Sequence, residues 1–394
     1  MYTYTPECAN SLNMVEAACP PAMSGAPVIT LTPARTPTDP AVLASPGGFA
    51  WWYLDLVDSQ GNGVVVIWSF GLPFIPGYAS AARLDRAPLP SNRPATTLAG
   101  YRNGRCVYYD FVVHQAQQAE WTPRHDGKER WRFGRSTFES TDHADGTRTV
   151  RIDLDRPVPG TTERLRGHID AQGPVRLGGR DSESDTHVWS PLMLACEGRA
   201  RLSTPSWHLG VQGRAYHDRN AARRPLHALG IRRWWWGRLS LPTHDLVWYR
   251  LEPDAEGTPV RELVLRVERS GEAATASHPM RLGARRKGRY GLSSPATVEL
   301  RDPQGHAAMI VLDSLVDDGP FYQRHLVSGM SGGERGHGVA ELVVPGRVDL
   351  DLHRPFVRMA VHQQDGPNSL FLPLFSGPST GRTSRLPWWW GRSE

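Results

Sequence analysis

Phe49-Ala50-Trp51-Trp52-Tyr53-Leu54-Asp55-Leu56 leads through a polar turn into Val64-Val65-Val66-Ile67-Trp68. Much later, Arg233-Trp234-Trp235-Trp236-Gly237-Arg238-Leu239 leads through Pro242-Thr243-His244-Asp245 into Leu246-Val247-Trp248-Tyr249. Both stretches read as an aromatic strand, a turn, and a second apolar strand ending in Trp and another large residue. Side chains of a strand alternate between its faces, so Trp234 and Trp236 point one way and Trp235 the other. Both faces then need an apolar setting. One suits a domain core; the other suits a ligand cavity or a contact between domains. The two copies are placed to open two domains of similar length, an internal repeat.

Outward from these stretches, short β-prone runs alternate with turn signals. They fall at 64–70, 106–114, 149–155, 207–218, 262–268, 296–301, 308–315, 339–344 and 356–362. In the last, Val357, Met359 and Val361 alternate with Arg358 and His362. Asp126-Gly127, Asp145-Gly146, Gly61-Asn62-Gly63 and Asp318-Gly319-Pro320 punctuate the runs. No long stretch carries a helical stripe, and 39 Gly with 33 Pro supply many turns. A chain of 394 residues exceeds one ordinary core. The expected fold is all-β: two antiparallel β-barrel domains packed together, since closure removes sheet edges and can enclose a ligand. An irregular segment at 1–44 precedes domains at 45–222 and 223–394, with the division where Arg, Ala, Pro and His interrupt the strand pattern.

Composition excludes several functions. The net charge of +5 is dispersed, and only Lys128 and Lys287 among 45 basic residues are lysine, so no nucleic-acid partner is expected. The densest basic run is Arg285-Arg286-Lys287, compatible with mild attraction to an anionic membrane surface. Cys8, Cys19, Cys106 and Cys196 form no CxxC pair, which suits unpaired thiols in a reducing cytoplasm. Neither a secretory signal nor a spanning apolar stretch is visible, so membrane association would be peripheral. Fifteen histidines show no H-x-H or H-x-x-x-H spacing on an expected strand or helix, and no metal is expected. Gly329-Met330-Ser331-Gly332-Gly333 fits the nucleophile-elbow pattern formally but lacks the alternating strand and helix context, and reads as a glycine-rich loop.

The run 207–218 carries the most chemistry. Trp207, Leu209, Val211, Gly213 and Ala215 make an apolar face, while Tyr216 and Asp218 share the other, with His217 opposite them. That second face is either a solvent face or the wall of a cavity in which a carboxyl acts as an acid. His187 and Trp189 likewise share a strand face, after a run Asp181 to Asp185 that reads as a solvated turn.

Three motifs in this order resemble the acyclic carotenoid 1,2-hydratases, also called hydroxyneurosporene synthases. They are Phe-x-Trp-Trp-Tyr-x-Asp (Phe49 to Asp55), Gly-x-x-Tyr-His-Asp-x-Asn (Gly213 to Asn220) and the later tryptophan cluster. The stretches Gly333-Glu334-Arg335-Gly336-His337-Gly338 and Leu372-Pro373-Leu374-Phe375-Ser376-Gly377 fit the same family, over residues 45–380. The resemblance implies two lipocalin-like domains, no cofactor, and addition of water across the terminal C1=C2 bond of lycopene, neurosporene or similar polyenes. It also implies carotenoid synthesis in photosynthetic bacteria, with peripheral contact to the inner or intracytoplasmic membrane. Carried over by motif, Asp218 is the proton donor, and Tyr216, His187 and Trp189 match the other active-site positions. Trp51, Trp52, Tyr53, Trp235 and Trp236 are then candidates for the pocket wall. Where the family continues His-Asn-Trp-Gly after the acid, this chain has Arg219-Asn220-Ala221-Ala222, a departure that bears on substrate range. A non-catalytic carotenoid carrier, or a cyclase or pericyclase-like relative, needs the same aromatic cavity, and the oligomeric state stays open.

Overall fold

The computed structural model describes residues 29–378 except 33, 160, 177–186, 349 and 365. The expected turn at Asp181 to Asp185, and Cys8 and Cys19, lie outside the described residues. Two large sheets dominate. Across the first, the strands run Val361–Gln363, Arg105–Val113, Pro94–Arg102, Gly63–Phe70, Phe49–Val57, Trp207–Ala222, His187–Thr204, Arg164–Pro174, Thr147–Pro157, Ser136–Asp142, Lys128–Phe133 and Ala119–His125. Across the second they run Ala273–Ala276, Arg261–Glu268, His244–Pro253, Ile231–Ser240, Glu334–Val343, Tyr322–Ser331, Ala307–Asp318, Thr297–Arg301 and Arg281–Leu282. Each sheet curls around its own core as a half-barrel, so the all-β, lipocalin-like expectation holds.

Period-two alternation divides the aromatic residues among three cores. Trp52 and Trp68 turn into the first sheet's interior with Trp131, Phe133 and Phe138. Trp248 turns into the second sheet's interior with Leu246, Leu300 and Ile310. The opposite faces meet, and Phe49, Trp51, Tyr53, Trp189 and Tyr216 of the first sheet pack with Trp234, Trp236 and Tyr249 of the second. The two stretches that open the halves of the chain thus lie against one another. Trp51 meets Trp234 with ring centroids 6.1 Å apart, Tyr53 meets Trp236 at 5.4 Å, and Asp55 pairs with Arg238. These three rungs recur at every second residue on both strands, always at the same spacing along the chain. Gly237 makes room for the scheme: a Cβ there would come within 2.1 Å of the Trp248 ring.

Three expectations change. The stretch 356–362 is not one strand: Arg354–Ala360 is helical, and only Val361–Gln363 is extended. Pro355, which lacks an N–H, suits a first helical turn, and Phe356, Val357 and Ala360 also fit helical spacing. The last part of the chain does not stay with the second sheet. Val361–Gln363 and Gly377–Pro378 both pair with Arg105–Val113 of the first, so a division at 222/223 does not separate the sheets cleanly. Within the leader expected to be irregular, Ile29–Leu31 pairs in parallel with His187–Trp189. Gly332 and Gly333, both at positive φ, form the hairpin turn between Tyr322–Ser331 and Glu334–Val343, which leaves Ser331 on a strand end. No helix among the described residues is long and apolar enough to cross a membrane.

Candidate active site

The strand Trp207–Ala222 starts as an ordinary half-buried strand: His208, Gly210 and Gln212 are exposed while Leu209 and Val211 are buried. From Tyr216 onward both faces are buried, because the second sheet covers the polar one. Register then assembles the site. Asp218 lies opposite Tyr53 and Asn220 opposite Trp51 on one neighbouring strand; Asn220 lies opposite Trp189 on the other. Directly opposed residues share a face, so all of these point between the sheets.

Asp218 is the centre of a hydrogen-bonded set. Tyr216 donates its hydroxyl to Asp218 Oδ2 at 2.8 Å, and Trp189 donates Nε1–H to the same oxygen at 3.0 Å. Asn220 donates Nδ2–H to Asp218 Oδ1 at 3.1 Å, and its own Oδ1 lies 2.9 Å from His187 Nε2. Burial pushes the Asp218 carboxyl up to about 7, with Tyr216 and Trp189 opposing the rise and the charges of Glu341 and Asp55 adding to it. Burial also lowers His187 to about 4, so the ring is neutral and donates from Nε2 to Asn220. Phe49, Trp51 and Trp234 enclose that imidazole. His187 therefore reaches Asp218 through Asn220 rather than directly.

A small chamber of about 50 Å³ lies over the carboxyl, lined by Trp51, Tyr53, Trp234, Trp236, Tyr249 and Glu341 among others. Tyr249 packs on Trp189 with ring centroids 4.4 Å apart. Glu341 is held by Arg324, whose Nε donates to it at 2.8 Å. Ile67, Leu72, Phe74 and Tyr322 are shared with a much wider cavity of about 610 Å³. A narrow aromatic chamber that carries the titratable carboxyl thus adjoins a wider, largely apolar cavity.

The structure brings Asp218, Tyr216, His187 and Trp189 together and sets Trp51, Tyr53 and Trp236 on the chamber wall. Trp52 and Trp235 are elsewhere. Trp52 is in the first sheet's interior, and Trp235 packs with Leu292 and Leu342 on the far side of the second sheet. Each neighbours a wall residue in sequence, so alternation sends it the other way. Asn220, Trp234, Tyr249 and Glu341 were missed as site residues. Trp234 was accessible from the alternation that pairs it with Trp236; Tyr249 and Glu341 enter only through strand pairing. Arg219, where this chain departs from the family pattern, points away from the chamber and donates to Thr36 O, Thr38 Oγ1 and Ser190 Oγ.

The family description of carotenoid hydratase CrtC matches residues 103–367. The chain belongs to this family. It is 28% identical over 298 residues to the acyclic carotenoid 1,2-hydratase of Thiocapsa roseopersicina, covering 74% of this chain and 67% of that one. It is 25% identical over 359 residues to a Chlorobaculum tepidum protein named hydroxyneurosporene dehydrogenase, covering 84% and 91%. Two solved structures share the fold at 13% identity: a putative AttH from Nitrosomonas europaea, with TM-score 0.53 over 75% of this chain and 92% of that one, and CghA with Sch210972, with TM-score 0.53 over 76% and 89%. As a carotenoid hydratase, the protein is an enzyme of the hydro-lyase class.

Proposed function

We propose that the protein adds water across the terminal C1=C2 double bond of an acyclic carotenoid of the lycopene or neurosporene type, with Asp218 supplying the proton. The observation that carries this reading is a buried carboxyl, raised to about 7, on the wall of a small aromatic chamber that adjoins a wider, largely apolar cavity. A carboxyl with the ordinary value of about 3.9 keeps its proton in roughly one molecule in a thousand at pH 7; one raised to about 7 keeps it in about half. Oδ2 accepts from both Tyr216 and Trp189, whereas Oδ1 accepts from Asn220 alone and so has room to carry the proton.

Proton transfer from Oδ1 to C2 breaks the π bond and leaves a tertiary cation at C1. Trp51, Trp234, Trp236 and Tyr249 surround that end, and a desolvated ring face stabilises a cation by about 0.5–2 kcal/mol. The donors on Oδ2 hold the carboxylate just formed. Water then bonds to C1, and its proton passes back to Asp218, restoring the acid, so the net change is one water added. His187 and Asn220 fix the orientation of the carboxyl. The scheme draws on side chains alone and calls for no cofactor. Its substrate is dissolved in membrane, so the protein works as a peripheral protein at the cytoplasmic face of the inner or intracytoplasmic membrane.

Incubating the purified protein with lycopene or neurosporene, without oxygen or added cofactor, tests the reading by mass spectrometry. A product heavier by one water is expected, and Asp218→Asn should reduce its formation by about 10²–10⁴-fold, the usual contribution of a general acid. Carotenoid binding without conversion would make the protein a carrier instead. Full activity in the Asn variant would remove Asp218 from the role.

A further inference from the structure

The wide cavity is partly open to solvent, and three pieces of chain form a rim along one side of it. Phe356, Val357 and Ala360 of the helix Arg354–Ala360 line it, as does Phe375 of the short helix Leu372–Phe375. Arg289 and Tyr290 line it from the turn between Arg285–Lys287 and Ser293–Pro295. These pieces are tied together. Tyr290 packs edge-on against Phe356 with ring centroids 5.7 Å apart, and Arg347 donates Nη2–H to Tyr290 O at 2.7 Å.

Two surface features converge on this rim. The first is apolar. Leu352, which precedes the first helix, is 77% exposed, and Leu370 and Phe371, which precede the second, are 96% and 53% exposed. None of the three lines the cavity. Single exposed apolar residues are ordinary, but among the described residues three of the four most exposed large ones (the fourth is Leu84) flank the two helices that line this apolar cavity. The second feature is charge. The densest basic run of the chain, Arg285-Arg286-Lys287, is exposed on the hairpin whose turn forms part of the rim, and Arg289 and Arg358 are exposed beside it. The acids along this side are engaged: Asp317 lies 3.9 Å from Arg324, Asp351 pairs with Arg354, and Asp318 accepts from Arg289 N–H and Gln323 Nε2.

We infer that this rim is a membrane-docking surface for a bilayer bearing anionic headgroups, with Leu352, Leu370 and Phe371 entering the acyl boundary and the basic hairpin resting on the headgroups. Apolar side chains flanked by arginine and lysine are what an interfacial anchor requires. Docked in this way, the open end of the cavity faces the hydrocarbon phase, and a polyene enters without crossing water. The inference rests on the reading of the substrate as a membrane-dissolved polyene.

Sedimentation with vesicles of phosphatidylcholine alone, or with one part in three phosphatidylglycerol, tests it. The full chain should sediment with the anionic vesicles and more weakly with the neutral ones. Replacing Arg285, Arg286 and Lys287 together by Ser should weaken binding to the anionic vesicles at least tenfold and abolish the preference, since each basic residue contributes about fivefold. Replacing Leu352, Leu370 and Phe371 together by Ser should abolish binding to both. Both variants should keep wild-type hydration of detergent-dispersed carotenoid; on carotenoid held in anionic vesicles the basic variant should be slowed about tenfold or more and the apolar variant should be inactive. Wild-type protein that stays in the supernatant with both vesicles would overturn the proposal, as would variants that bind like wild type. So would a wild-type dimer that the apolar variant converts to monomer, since a second copy would then cover the rim. Vesicle binding without any hydration would leave the surface standing and remove the proposed reaction; hydration without vesicle binding would do the reverse.

Discussion

Asp218 meets two opposed demands, since the burial that keeps its proton also makes its charged form costly. The folded carboxyl titrates at about 7 and the unfolded one at the ordinary 3.8. Below pH about 4 both states hold the proton and folding carries no penalty. Between about 4 and 7 only the folded state holds it, so stability falls as pH rises, by on the order of 4 kcal/mol in total. Asp218→Asn cannot ionise and should escape that loss. Thermal unfolding at pH 5 and pH 8 should show wild type losing more stability than the variant, and equal losses would show that Asp218 is not buried with a raised pKa. Activity should likewise fall above pH about 7. Glu341 adds to the rise of Asp218 through like charge, so Glu341→Gln should move that fall to lower pH; a pH–rate profile that does not move would remove Glu341 from the chamber's electrostatics. Much of this site was legible in the sequence, because Tyr216 with Asp218, and His187 with Trp189, are spaced two apart, and a family motif marks the first pair. Asn220 stands in the same motif, but its link between His187 and Asp218 depends on which strands are neighbours, and no spacing along one strand carries that.

The strands Phe49–Val57 and Ile231–Ser240 form the seam between the sheets, with aromatic rungs ending at the Asp55 and Arg238 ion pair. Both members of the pair are fully buried, and Arg238 Nε donates to Asp55 Oδ1 at 2.8 Å and Oδ2 at 3.1 Å. Removing one partner strands a charge between sheets, which typically costs about 3–5 kcal/mol, whereas replacing both by apolar residues is often neutral. Asp55→Leu alone should therefore lower the urea midpoint strongly, and adding Arg238→Met should restore most of it. If the double variant were as unstable as the single, the pair would contribute net stability rather than register. At this scale the aromatic repeat was readable, as was the need for two apolar settings. That its copies pack on one another was not, since a repeat shows likeness and says nothing of contact. The helix Arg354–Ala360 escaped because Val357, Met359 and Val361 satisfy a period of two over too few residues to exclude a period of 3.6.

At the scale of the molecule, the third core belongs to neither sheet alone. Residues 45–222 expressed alone would expose Phe49, Trp51, Tyr53, Trp189 and Tyr216, which the second sheet covers in the whole chain. Uncovering each large aromatic forgoes roughly 2–3 kcal/mol, and Asp55 would lose Arg238 as well. That sum matches or exceeds the net stability of an ordinary domain, about 5–15 kcal/mol. The tail adds a second bond between the halves, because Val361–Gln363 leaves the second sheet's part of the chain to extend the first. The two half-barrels should therefore unfold together. Calorimetry of the whole chain should give one transition whose van 't Hoff and calorimetric enthalpies agree, and residues 45–222 alone should aggregate or bind a dye for exposed apolar surface. Two resolved transitions, or a soluble monomeric 45–222 fragment with native near-ultraviolet circular dichroism, would mean that the sheets are independent. In that case the chamber over Asp218 could open by separating them, and the narrow aromatic end would be a closed form rather than a fixed wall.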